Sequence, residues 1–147
     1  MIGFLVVLAL GIGLLLPVQA GVNAQLRLWV PHPVIAALIS FAVGSLTLGI
    51  ASLVLRTGWV SGSRLAQAPW WVWIGGLLGA NYVLLAIILA PRLGAATLIG
   101  LTVTGQMFAS LILDHFGLIG YPTHPASAGR IIGSALLLIG VLLIQRF

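Results

Sequence analysis

Three sets of polar side chains stand inside long apolar runs of this chain, and they bound the chemistry it can do. Gln19, Asn23 and Arg27 recur every fourth residue. At about 100° per residue each such step drifts by only about 40°, so the three form one helical stripe. Gln25 falls off it. Asn81 and Tyr82 stand near the middle of another run, and Thr102, Gln106 and Ser110 make a further stripe at the same spacing. Amides and hydroxyls donate and accept hydrogen bonds, so they suit reversible binding of a solute rather than bond making. In an apolar run each costs free energy unless it finds a partner. Two readings follow. Gln19, Asn23, Asn81, Tyr82, Thr102 and Gln106 line a binding cavity, or they tie helices together by hydrogen bonds. Thr97 and Thr104 share another face, and a hydroxyl can be satisfied by its own i−4 carbonyl. Gln106 has no such local outlet for its whole amide.

Much chemistry is excluded. The chain has no cysteine, which removes disulfides, thiolate metal sites and cysteine catalysis. His32, His115 and His124 lack metal-ligand spacing. There is no phosphate-cradling glycine loop and no Ser/His/Asp set at membrane depth. No enzyme activity, cofactor or metal is therefore expected. The one acidic residue, Asp114, stands at a run's end. Exchangers of organic cations rely on a carboxylate deep in a span, which alternates between proton and substrate. Its absence favours a neutral or anionic solute, with Arg27 as an electrostatic attractant.

The elements that must position these groups are membrane helices. Of 147 residues, 61% are apolar and 5% charged, against roughly 25% charged in soluble domains. An all-α integral membrane protein follows, a single transmembrane domain over residues 1–147. The expected spans are about 2–28, 34–55, 70–90, 93–113 and 126–145, each long enough to cross a hydrocarbon core of roughly 30 Å. The runs lack the period-two alternation of a barrel. Trp29-Val-Pro-His-Pro33 and Pro91-Arg-Leu-Gly94 are tight links, predicting antiparallel hairpins, whereas the Arg56–Pro69 and Asp114–Pro125 links are longer. Trp70, Trp71 and Trp73 open span three as an interfacial belt. Pro17 predicts a kink or loosened turn in span one. Val18-Gln19-Ala20 resembles a signal-peptidase site, but no basic residue precedes the apolar run, so the segment is expected to stay as a span. Gly75 and Gly79 form a GxxxG, and Gly129, Gly133 and Gly140 with Ser134 form a small-residue face; both predict helix packing. Arg130 is expected to pair with Asp114 across the last link.

The net charge of +5 is not a nucleic-acid signature, because the arginines are dispersed rather than clustered. Their distribution bears on insertion instead. With the N-terminus on side A, that side carries Arg56, Arg64 and Arg130, and side B carries Arg27, Arg92 and Arg146. Orientation follows an excess of Lys/Arg on the cytoplasmic side, and this chain has none. Both orientations are therefore expected, the alternative being a single orientation set by another factor such as the N-terminal amine. An odd number of spans puts the termini on opposite sides, so two inverted copies can supply the inverted halves that alternating access uses.

Gln19-Ala-Gly-Val-Asn-Ala-Gln25, His32-Pro33, Gly75–Asn81, Pro91-Arg-Leu-Gly-Ala-Ala-Thr97 and Thr104-Gly-Gln106 resemble the YdcZ-type family, five-helix members of the drug/metabolite transporter superfamily related to small multidrug resistance proteins. The resemblance covers nearly the whole chain. It implies a small multi-pass protein of the bacterial inner membrane, working as a pair of subunits, often inverted. It gives no substrate. The chain departs from the small multidrug resistance pattern in lacking a span-one glutamate, which argues against proton-coupled export of cationic drugs. The expected function is a secondary transporter of a small neutral or anionic solute, with membrane lipid and a second, inverted copy as partners. A passive dual-topology channel and a non-transporting membrane scaffold are the competing expectations.

Overall fold

A computed structural model describes residues 2–58 and 60–147, the side chain of Ile2 excepted. The chain is helical, with five helices long and apolar enough to cross a membrane. Helix α1 spans Ile2–Leu26 and tightens into a 3-10 turn at Arg27–Trp29. Helix α2 is Pro33–Val54, α3 the short Gly62–Ala66, α4 Ile74–Leu93, α5 Ala95–Phe116 and α6 Ala128–Arg146. Most large apolar side chains point outward; Leu14, Leu48 and Leu53 are each more than 70% exposed. Such a surface would aggregate in water, and in a bilayer it is solvated by acyl chains.

Local chemistry sets the boundaries. His32 caps α2, its Nδ1 accepting from the Val34 amide at 3.3 Å, with Pro33 opening the helix. Span four was expected to begin at Leu93, but that residue still belongs to α4, which runs on through Pro91. The link between the two is reduced to Gly94, whose φ of 76° only glycine adopts readily. Span five was expected from Ala126, but α6 starts at Ala128. Ser127 caps it, accepting from the Arg130 amide at 3.4 Å, while the Ala126 amide donates to His115 Nδ1 at 3.1 Å. The Arg56–Pro69 link contains α3, and a 3-10 turn at Trp70–Trp73 leads into α4.

The chain divides into two compact bodies. One comprises the chain up to Pro17 together with Arg92–Phe147, the other Val18–Pro91. Both passages between bodies thus fall at prolines inside helices, Pro17 in α1 and Pro91 in α4. Each proline lacks the amide that would bond the i−4 carbonyl, here of Gly13 and Ile87. Both helices are nevertheless continuous, so Pro17 does not break span one.

In the first body α5 and α6 form the closest helix pair. Gly100 lies against Val141 near one end and Asp114 meets Arg130 near the other, so the two run antiparallel. The pair is closed by its link. Asp114 and Arg130 form the expected ion pair, Arg130 Nη1 also donates to the His124 carbonyl at 2.8 Å, and the His124 amide donates to the Asp114 carbonyl at 2.8 Å. Gly117 ends α5 in the left-handed conformation.

In the second body Ala36 and Ala37 of α2 bury against Val83 and Ile87 of α4, with Leu26, Val30 and Tyr82 packed around them. Phe41 meets Gly79, where an added Cβ would lie 3.6 Å from Cζ. Advancing along α2 retreats along α4, so these helices are also antiparallel.

Candidate functional site

The stripe expected on α1 is only partly the stripe that is protected. Ala20 and Asn23 are each 6% exposed, and Ala24 and Arg27 are half-buried. Gln19, about 100° from Ala20 around the helix, is exposed, as is Gln25. Alanine rather than glutamine marks the inward face, because a small side chain is what lets another element approach. Arg27 is engaged locally, its Nη1 donating to the Val30 carbonyl at 3.0 Å. That bond pins the link, and Arg27 makes no other side-chain hydrogen bond among the described residues.

Asn23 is the most informative of these groups. Its amide joins no side-chain hydrogen bond among the described residues. No fully enclosed side-chain nitrogen or oxygen among them lacks a partner, so the Asn23 amide keeps a narrow opening. A group that is nine-tenths buried, unpartnered inside the protein and still reachable can exchange hydrogen bonds with a visiting molecule.

Asn81 has its Nδ2 donating to the Leu77 carbonyl at 2.9 Å, one turn back. Because a carbonyl can only accept, the amide's oxygen stays available. It borders a cleft of about 310 Å³ between α2 and α4, with Val34, Ala37, Leu38, Phe41 and Leu84 as its apolar lining. Tyr82 turns the other way, half-buried against the Ala36–Ile87 cluster, and serves packing.

On α5, Thr102 is half-buried and Gln106 and Ser110 are exposed. The protected polar groups are others. Thr97 and Thr104 are buried on α5 and Ser134 on α6. Thr104 Oγ1 donates to the Gly100 carbonyl at 2.8 Å, and Ser134 Oγ to the Arg130 carbonyl at 3.0 Å. Those hydroxyls are spent on their own helices, as small polar residues in membrane helices commonly are. Thr97 is 7% exposed and joins no side-chain hydrogen bond among the described residues.

The expected packing glycines divide within one subunit. A Cβ at Gly75, Gly129 or Gly133 would meet nothing within 4 Å, so inside the subunit these positions are open and only Gly79 of the four has a neighbour. The glycine that brings two helices together is Gly100, where a Cβ would come within 2.7 Å of Val141 Cγ2. A GxxxG spacing names glycines without saying which face another helix covers.

With a buried amide, a five-span fold and no carboxylate in any span interior, the relatives can be set beside the geometry. A family model described as "Putative inner membrane exporter, YdcZ" matches residues 4–143. The chain belongs to the YdcZ family. The inner membrane protein YdcZ of Escherichia coli is 34% identical over 140 residues, which cover 95% of this chain and 91% of that one. No solved structure matches. As a YdcZ-family member with five membrane-crossing helices, the chain is a multi-pass protein of the inner membrane. The YdcZ family match spans the Gln19–Gln25 segment, in which Ala20 and Asn23 are the buried residues.

Proposed function

We propose that this YdcZ-family chain is half of a secondary transporter for a small neutral or anionic solute, which works by alternating access in an antiparallel homodimer. The observation that carries the reading is Asn23, an accessible but unpartnered amide buried in α1 of a chain whose family is described as an exporter. Asn81 supplies a second amide beside the α2–α4 cleft. Gln19 and Gln106 are exposed and Thr102 half-buried in one subunit, and they contribute where a second copy closes over them. The open glycines Gly75, Gly129 and Gly133 suit close approach of that copy.

The solute class follows from charge. Asp114 is the only acid and is taken by Arg130, so a cation would find no free side-chain carboxylate.

The test is counterflow in liposomes with a panel of labelled neutral and monoanionic solutes. Saturable exchange that falls about tenfold or more in Asn23→Ala, as loss of one well-formed hydrogen bond allows, supports the reading. Full activity in that variant removes Asn23 from the site, and flux that never saturates points to a channel instead. Orientation is tested by Ser63→Cys in α3, which is exposed in a chain otherwise free of cysteine. Impermeant thiol reagents should label it from both sides of the membrane. Labelling from one side alone would end the inverted-homodimer reading.

A further inference from the structure

Arg56 and Arg64 have no counter-charge in this protein. Asp114 is the single acidic side chain among 147 residues and it already holds Arg130. Arginine stays charged at any physiological pH, so whatever neutralises these two must come from outside the chain. The acidic side chain of a second copy does not do it, because it is occupied in the same way.

The surface around them has two halves. Along the last turns of α2 runs an open groove of about 790 Å³, bordered by Leu46, Ile50 and Leu53 with Ser45, Gly49 and Ser52 beside them, and it ends at Arg56 and Gly58. Ser45, Gly49, Ser52 and Arg56 are spaced to fall on one side of the helix. A mixed polar and apolar depression of about 420 Å³ continues from the same Gly58 and is lined by Thr57, Val60, Ser61 and Arg64. The turn that joins them is held in place. Ser52 Oγ and Thr57 Oγ1 are 2.6 Å apart, and the Thr57 amide donates to the Ser52 carbonyl at 3.2 Å. One end of this surface is therefore greasy and lies within the span, while the other is hydroxylated, doubly cationic and lies at its edge.

We propose that this surface holds one anionic phospholipid, with an acyl chain in the α2 groove and the phosphate between Arg56 and Arg64. Charge complementarity selects the headgroup, since basic pockets at membrane edges bind anionic lipid in preference to zwitterionic lipid. The apolar groove selects an amphiphile over free phosphate. Arg56 itself sits at φ 50° just past the end of α2, where glycine is the usual occupant. A cation is kept there at some backbone cost. The proposal is independent of what the protein transports.

The experiment reads the thermal unfolding midpoint of the full chain in detergent, titrated with phosphatidylglycerol, with phosphatidylcholine of the same chains, or with inorganic phosphate. Phosphatidylglycerol should raise the midpoint by about 4 °C more than phosphatidylcholine, and phosphate should leave it unmoved. The double variant Arg56→Gln/Arg64→Gln should lose that difference. Gly49→Phe keeps both charges but fills the groove, and because a Cβ there meets nothing within 4 Å it should fold and also lose most of the difference. Equal responses to the two lipids, an undiminished preference in the double variant, or a full response to phosphate alone would each overturn the proposal.

Discussion

Gly100→Ala should destabilise the protein by about 1–3 kcal/mol, the usual range for forcing extra volume into a packed contact. The added Cβ would stand 2.7 Å from Val141 Cγ2 and 3.0 Å from Cγ1, and a gap that short must open. Val141 cannot swing aside easily. It is β-branched, which leaves it one strongly preferred rotamer in a helix, and it is 6% exposed. The strain therefore passes to the α5–α6 separation, and with it to the Thr104 and Ser134 turns on either side. A thermal unfolding midpoint in detergent measures the loss. Gly100→Ala/Val141→Ala returns the volume and should recover most of it, whereas Gly133→Ala, with open space around it, should cost little in a single subunit. If Gly100→Ala alone leaves the midpoint unchanged, the close α5–α6 contact is not a determinant of stability.

The same two helices show how far the residues alone could be read. Number and type of spans were legible, because continuous apolar runs of this length have one solution in a bilayer. Span ends were less so. Pro91 looks like a helix stop but falls where only the Ile87 carbonyl loses a donor, and Ala126 looks helical until its amide is seen bonded to His115. Faces were the hardest. Polar residues drew the expected stripe on α1, and yet the inward face is drawn by Ala20, Asn23 and Ala24, with Gln19 left outside. Lipid is as apolar as a side chain, so hydropathy carries no signal about which apolar face is covered. Asn23 was reachable by its type, Thr97 and Ser134 only by the contacts that bury them. The pairing of Arg130 with Asp114 was legible too, from the single acid facing an arginine across the last link. Three arginines fall on each side of the expected topology, and the ion pair leaves that count even, because orientation follows the number of Lys/Arg residues and acids contribute little.

That pair supports the second large effect. Arg130→Ala should destabilise the protein by about 1–3 kcal/mol, because Asp114 then keeps its charge without a partner. The side chains of Asp114 and Arg130 are 22% and 35% exposed, so water offsets part of the penalty and the fully buried range of about 3–5 kcal/mol does not apply. Arg130 also donates to the His124 carbonyl at 2.8 Å, and losing that bond loosens the link between α5 and α6. The electrostatics contain an informative conflict. Asp114 lies in the last turn of α5 and Arg130 in the first turn of α6, so each charge opposes the dipole of its own helix. Their mutual attraction must outweigh two unfavourable placements of about 0.3–1 kcal/mol each. Swapping them, Asp114→Arg/Arg130→Asp, keeps the attraction and turns both placements favourable. The swapped protein should recover most of the stability lost in Arg130→Ala even without the bond to His124. A swapped protein no more stable than Arg130→Ala would mean that the link geometry around His124, and not the charge pair, closes the α5–α6 hairpin.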